Sequence, residues 1–392
     1  MTRSLRVRVE PSIKAIPAEA WDACAAVAAE SNSQVDPHNP FTTHAFLSSL
    51  EDSGAATART GWGARHLVVE DNAGILAVMP AYLKSHSQGE YVFDHGWAEA
   101  FERAGGEYYP KLQVSVPFTP VTGPRLLVRP GPRAAEAREA LVAGALEVTK
   151  RADASSLHIT FPTKAEWEYL TGLGFLARTD RQFHWFNHNY GRFDDFLAAL
   201  AARKRKTIKR EREKALEGVE IVRLTGPELT EAAWDAFFSF YMDTGARKWG
   251  SPYLNRKFFS LVGERMGRRI VLIMARRAKR TIAGALNFLG RDTIYGRYWG
   301  TTEERPFLHF EVCYYQAIEY AIDHKLARVE AGAQGPHKLA RGYVPVPTYS
   351  AHYIASPGLR HAVAEYLERE RAFVEADREE LAALAPFRKD GK

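Results

Sequence analysis

Between Arg328 and Tyr353 the chain reads RVEAGAQGPHKLARGYVPVPTYSAHY. Glu330 closes a short strand-like run, and Gly332, Gly335 and Pro336 then break regular structure. His337, Lys338 and Arg341 follow at close spacing before Gly342. A strand-end carboxylate, or an imidazole whose intrinsic pKa lies near neutrality, can take a proton. Lys338 and Arg341 are poor bases; they suit the holding of a phosphate, a carboxylate or an oxyanion. His309 with Glu311 is a more remote candidate pair for the base. A strand running into a Gly-rich turn is a common way to place such chemistry at the end of a sheet. The plainer alternative is a polar loop with helix-ending glycines. In it Glu330 pairs with Arg328 or Lys338, and His337 is merely solvated.

Two further groups stand out. Arg203, Lys204, Arg205, Lys206, Lys209, Arg210, Arg212 and Lys214 face only Glu211 and Glu213, a net +6 that equals the formal excess of the whole chain. On a helix Arg203, Lys206 and Arg210 share one face, and Arg205, Lys209 and Arg212 another. Arg205 and Lys209 are taken as anion-binding positions, against a simple solvated face. No RNA-reading pattern of interleaved aromatics accompanies them. The segment from Asp94 to Gly123 mixes His95, Trp97, Tyr108, Tyr109 and Lys111 with glycines and prolines. His95, Trp97, Tyr109 and Lys111 are expected as a binding wall, against a packed Ω-loop. Tyr298 and Trp299 either line the same cleft or belong to the core.

These residues need elements to carry them. In the first half, helices are expected over Pro17–Glu30, Thr43–Leu50, Arg133–Arg151 and Glu166–Leu173. Strands are expected over Leu5–Val9, His66–Glu70, Ile75–Lys84, Tyr91–Asp94, Ser156–Phe161 and Phe183–Asn187. In the second half, Asp194 is a good N-cap for a helix over Phe196–Leu216. Helices over Glu231–Thr244, Leu254–Met266, Phe307–His324 and Pro357–Leu384 follow. Strands are expected at Val219–Leu224, Arg269–Arg276, Thr281–Leu289, Thr293–Trp299 and Arg328–Glu330, with an alternating run over Thr348–Ile354. Both halves repeat one order of elements with little residue identity.

A chain of 392 residues exceeds one core and suggests two domains. The charge of +6 makes anionic partners plausible without requiring them. Cys24 and Cys313 both sit in apolar, helix-like runs, which supports neither a disulfide framework nor a zinc site. No secretory leader and no run long enough to span a membrane is visible, so the expectation is a soluble cytoplasmic protein without a metal.

Several stretches resemble a known family. Glu166-Trp167-Glu168-Tyr169-Leu170 with Leu173-Gly174-Phe175 resembles the end of a GNAT acyltransferase domain. Arg203 to Leu224 is similar to the stretch that opens the second domain of Fem-type proteins. Glu330-Ala331-Gly332 through Gly335 to Gly342 resembles their late Gly-x-x-x-Tyr-Lys-x-x-x-Gly turn. With NPFTTHAFL, EYVFDHGW and YYPKLQVSVPFTPVTGPRLL, the chain resembles the FemAB-like N-acyltransferases over nearly its whole length. The resemblance implies an α/β (α+β) fold of two tandem GNAT-like domains, 1–188 and 189–392. Each would be a mixed, mostly antiparallel sheet flanked by helices. It also implies acyl or aminoacyl transfer to an amine by direct attack, in a cleft between the halves.

One departure bears on the donor. A pyrophosphate-binding turn offers backbone N–H groups from glycines at a helix N-terminus. TTEERPFLHFE, before the helix at Phe307, has no such glycines and carries Glu303 and Glu304; LLVRPGPRAAEAR supplies only Arg129, Gly131 and Arg133. Acyl-CoA and aminoacyl-tRNA both stay open as co-substrates, with a small-molecule or peptide amine as acceptor. Glu330, His337 and Lys338 are the expected catalytic residues. Arg341, Arg205, Lys209, His95, Trp97, Tyr109, Lys111, Tyr298 and Trp299 are the expected binding residues. The competing class is a noncatalytic anion- or nucleic-acid-binding module on a degenerate GNAT scaffold.

Overall fold

The computed structural model describes residues 4–26, 38–248, 252–333, 335–384 and 386–388. The chain divides into two compact units. Met1–Asp180 with Thr348–Val374 forms the first, and Arg181–Pro347 with Glu375–Lys392 the second. Thr348–Val374, which sequence order places in the second half, thus returns to the first unit. It does so because Ser350–Ile354 pairs antiparallel with Ser156–Thr160. A strand's partner is set by a distant segment, which local patterning does not reveal.

In the first unit, Arg6–Glu10, His66–Asp71, Gly74–Met79 and Leu127–Val128 form a four-stranded sheet. A second sheet runs in the order Trp62–Ala64, Ala81–Lys84, Lys111–Val114, Ser156–Thr160 and the 350–354 segment. The run Ile75–Lys84, expected as one strand, is split between the two sheets at Pro80. Proline has no N–H to give a ladder, so the chain can change sheets there. Lys111–Val114 and Ser156–Thr160 are parallel, joined by a crossover that includes the helix Ala134–Arg151. That helix lays Ala137, Leu141, Val142 and Ala145 onto a core with Leu67, Val69, Leu112, Val114, Leu157 and Ile159. Helix Lys164–Gly172 starts in a capping box, with Thr163 and Glu166 satisfying each other's backbone.

Three expectations for this unit change. Tyr91–Asp94 is not a strand; Tyr91 takes φ 60 and the chain bends into the helix His95–Arg103. The stretch expected as one long connection therefore holds a helix, and the strand Lys111–Val114 as well. The first helix covers Ala18–Ala25, and residues 27–30 of the expected span lie outside the described residues.

In the second unit one sheet runs Glu220–Leu224, Ile270–Arg277, Arg280–Leu289, Thr293–Thr301, Arg328–Glu330 and then His184–Phe186. Thr293–Tyr295 and Arg328–Glu330 pair in parallel, after which the first strand continues to Thr301 and the second stops. The expected helix Phe196–Leu216 is two, Phe193–Ala199 and Ala202–Leu216. Leu200 is extended at φ −83, ψ 153 and bridges Phe387, while Ala201 N–H donates to Pro386. Asp194 lies inside the first of these helices rather than capping it. The helix over 308–323 has a π-helical segment, Glu311–Tyr315, which turns the adjacent Tyr314 and Tyr315 both inward. Such segments recur at functional sites. Among the described residues no helix is long and apolar enough to cross a membrane.

Candidate functional site

The strand end in the second unit is a buried polar centre. Glu330 pairs across the ladder with His184, whose Nε2 lies 3.8 Å from the Glu330 carboxylate. Burial, then Arg328 and Lys338, push the His184 imidazole down to about 3, so it is neutral. Gly335 (φ 100) and Gly342 (φ 87) bracket the short 3-10 helix Pro336–Arg341. Both need the conformational freedom of glycine. That helix carries His337, Lys338 and Arg341 back toward the strand end.

Lys338 is 4 % exposed. Its Nζ donates to the carbonyl oxygens of Ala331 and Gly332, the latter at 3.0 Å, and no carboxylate among the described residues contacts it. Burial pushes its pKa down to about 8. An ammonium has three donors, and these carbonyls occupy two. His337 Nε2 lies 3.0 Å from the Tyr314 hydroxyl, and its ring packs 5.5 Å from Phe310. His309 sits 6.3 Å from His337, ring to ring. Glu311 is fully buried and bound by Arg212 at 2.9 and 3.0 Å, so it is a structural partner of the basic helix rather than a base.

Arg341 is buried over the face of Phe310, 3.4 Å from the ring centre. Its guanidinium binds Glu211 at 2.8 Å and the His337 carbonyl at 2.7 Å. The Tyr315 hydroxyl also donates to Glu211. Glu211 and Arg341 belong to the wall of a cavity of about 320 Å³, lined also by Arg203, Lys204, Thr207, Ile208 and Ala340. The cations that line it from the basic helix are Arg203 and Lys204, not Arg205 and Lys209. Lys209 reaches Asp194 at 3.5 Å on the surface. Arg212 is taken up by Glu311 and Glu319. Arg203 and Lys204 have no ion pair among the described residues, and the first turn of their helix has no side-chain cap and no acidic residue. Tyr298 packs against Tyr241 and Trp299 against His309, with Trp299 bordering the core around Ile273 and Ala285.

In the first unit the structure gives the expected wall residues other tasks. Lys111 is fully buried and donates to Ser87 at 2.8 Å, Glu90 at 2.7 Å and Asp94. Trp97 packs edge-on to His352 at 5.0 Å, and Tyr109 bonds Ser87 at 2.8 Å. His95 alone is exposed, near Phe93. Around Lys111 lie Lys84, fully buried over the Trp62 ring, and Glu90, with Tyr108, His158 and His352 beyond Asp94. Arg133 is occupied by Asp71 and Glu136, each at 2.8 Å. Glu303, read from sequence as repelling phosphate, is neutralised by Arg277 at 2.9 Å and Arg305 at 3.4 Å.

The residues that sequence reasoning did not select are Arg203, Lys204 and Glu211 at the cavity, Tyr314 bonded to His337, Tyr315 bonded to Glu211, and His184 beside Glu330. One signal was present: positions 204, 208, 211 and 215 fall on a single helical stripe. Read as the buried stripe, it would have singled out Glu211 as the inward carboxylate in a cationic run.

The FemAB-like family, described as peptidoglycan biosynthesis/recognition, matches residues 12–389. A crystal structure of FemX is similar at 14% identity with a TM-score of 0.55, covering 89% of this chain and 98% of that one. A tandem GNAT protein from the clavulanic acid biosynthesis pathway aligns at 15% identity and TM-score 0.50, covering 90% and 99%. A conserved protein of unknown function from Bacteroides thetaiotaomicron aligns at 11% identity and TM-score 0.51, covering 88% and 99%. These likenesses establish the tandem GNAT fold. No curated protein sequence matches. Family and fold together support an acyltransferase of the GNAT fold, with a Fem-type aminoacyltransferase as the alternative. The chain belongs to the FemAB-like family.

Proposed function

We propose that the protein moves an acyl group from an activated ester or thioester to an amine, and that the second unit carries the reaction at the Glu330–Lys338 strand end. The observation that carries this reading is Lys338: a buried ammonium held by two backbone carbonyls, with a third donor and no carboxylate in contact among the described residues. A developing oxyanion is the species such a donor stabilises, and low surrounding polarity strengthens the effect. The attacking amine forms the new C–N bond to the carbonyl carbon, and the bond from that carbon to the donor's oxygen or sulfur breaks. The proton lost by nitrogen passes to a base and reaches the departing alcohol or thiol. Glu330 and His337 are the groups placed for that transfer. No covalent enzyme intermediate is required.

The cavity at Arg203 and Lys204 suits the phosphate-bearing part of a substrate, since two cations there have no ion-pair partner among the described residues, beside a helix start with no side-chain cap. Acyl-CoA and aminoacyl-tRNA both carry such phosphates. The deciding experiment incubates the purified protein with acetyl-CoA, longer acyl-CoAs or aminoacyl-tRNA and a panel of amines. Transfer with one donor class is expected, and Lys338→Met should slow it by on the order of 10²–10³ without unfolding the protein. Full turnover in Lys338→Met would remove Lys338 from the reaction. Phosphate-dependent binding without transfer from any donor would favour the noncatalytic module.

A further inference from the structure

A second cavity lies within the first unit, lined by Tyr91, Val92, Phe93, Phe161, Tyr349, Arg178, Asp180, Thr348 and Ser350. It is small, about 40 Å³, and admits a compact head group such as an ammonium. Two of its aromatic walls, Tyr91 (φ 60) and Phe161 (φ 55), sit in the left-handed region. Bulky side chains rarely adopt it unless the surroundings hold them there.

The hydrogen bonds behind this cavity run to a fixed charge, and they leave one consistent arrangement of protons. Asp94 contacts the Lys111 ammonium and accepts from the Tyr108 hydroxyl at 2.7 Å. The Tyr108 oxygen, its proton committed, can only accept from His158 Nε2 at 3.3 Å. The other neighbour of His158 Nε2 is Ser156 Oγ at 2.7 Å. Ser155 spends its own proton on the Tyr108 carbonyl, so at the Ser155–Ser156 contact of 3.1 Å it is Ser156 that donates. Both oxygens at His158 Nε2 are therefore acceptors, and Nε2 carries the proton. The ring is neutral, since burial and Lys111 push it down to about 3, so His158 Nδ1 bears a lone pair. It must accept from His352 Nδ1 at 2.7 Å. His352 Nε2 is then the lone-pair nitrogen, and it takes the proton of Ser350 Oγ at 2.9 Å. The hydrogen-bond network thus sets both tautomers.

We infer that this cavity is a recognition site for a primary alkylammonium group, in which Ser350 Oγ is held as a hydrogen-bond acceptor by the relay from Asp94. Two features agree on the ligand's sign. Ser350 offers lone pairs rather than a proton. Asp180 supplies a carboxylate in the lining. The one cation in the lining, Arg178, is neutralised by Glu370 through two contacts of 2.7 Å and fixes the Phe93 carbonyl at 2.8 Å. The inference rests on the transfer reading only in making an amine a ligand that the protein would meet. Failure of transfer in a Lys338 variant leaves it untouched.

The test is calorimetric titration of the full chain with n-butylammonium chloride, and with 1-butanol as the uncharged comparator, at constant ionic strength. Saturable binding of the ammonium but not of the alcohol is expected. Asp180→Asn and Ser350→Ala should each weaken it on the order of tenfold. Long-range proton–nitrogen spectra of the histidine rings give a readout independent of any variant's folding. They should show His158 protonated at Nε2 and His352 at Nδ1. Equal affinity for the alcohol, no saturable binding of the ammonium, unchanged affinity in the Asp180→Asn protein, or the reversed pair of tautomers overturns the assignment.

Discussion

Nη2 of Arg341 lies 2.8 Å from both carboxylate oxygens of Glu211, and this pair ties the late Gly-rich turn to the basic helix. Both side chains are at least nine-tenths buried, and the Tyr315 hydroxyl completes the carboxylate's shell. A buried pair of this kind fixes geometry more than it adds stability, because desolvation offsets most of the attraction. Breaking it is another matter. Glu211→Ala or Arg341→Ala should each cost about 3–5 kcal/mol, read as a lower urea midpoint. The double variant should cost less than the two added together, and simple additivity would show that the two residues do not act as a pair.

Lys338 sets a pH limb. Its pKa of about 8 lies below the 10.5 of the unfolded chain. If its ammonium stabilises the oxyanion, turnover should fall as pH rises through about 8, and Lys338→Arg should move that limb upward. Stability runs the other way. The unfolded state holds the proton more tightly, so between about 8 and 10.5 the wild type should gain stability relative to Lys338→Met as pH rises. Lys338→Met should lower kcat by on the order of 10²–10³, the loss typical of an oxyanion donor. A pH–rate profile unchanged in Lys338→Arg would argue against the ammonium.

Arg203 and Lys204 line the cavity, while Arg205 and Lys209 do not. The double change Arg203→Ala/Lys204→Ala should therefore weaken binding of the phosphate-bearing donor much more than Arg205→Ala/Lys209→Ala, and should flatten its salt dependence. Titrations at two salt concentrations check this. The opposite ranking would return the anion site to the outer helix face.

Glu90 is held at about 7 by burial, offset in part by Lys111. A carboxyl raised above its unfolded value of 4.5 favours the folded state while protonated. Its contribution is full below about 4.5 and is lost as pH rises toward 7. Glu90→Gln should remove that loss. The wild type minus variant difference in unfolding free energy should therefore fall between pH 4.5 and pH 7. Lys84, which burial pushes down to about 7, is coupled to Glu90 across 3.8 Å, so the two titrate as a pair. A pH-independent difference would place Glu90 outside this equilibrium.

Much of the fold was legible because its signals are local. Ala134–Arg151 announces itself through 3.6-residue periodicity, Ile270–Arg277 and Arg280–Leu289 through near-continuous apolar runs on either side of a short polar turn, and Thr163 with Glu166 marks a helix start. The Gly-bracketed group of His337, Lys338 and Arg341 beside Glu330 was legible too, since positive-φ glycines and clustered polar side chains follow each other along the chain. The helix break at Leu200–Ala201 was not. Its cause is backbone pairing with Pro386 and Phe387, nearly two hundred residues away.

The sequence by itself determined the family, the order of elements and which residue types crowd the strand end at Glu330. Tertiary structure alone decided which charges are buried. Lys111 and Arg205 look alike in a sequence. Lys111 is sealed because Ser87, Glu90 and Asp94, all from other segments, close over it; Arg205 is only half-buried on its helix. Tertiary structure likewise chose Arg203 and Lys204 over their neighbours, because the Arg341 turn packs against one face of that helix and not the other. Helix phase is written locally, but which face meets a partner depends on long-range packing, and burial, charge pairing and pKa all follow from that choice.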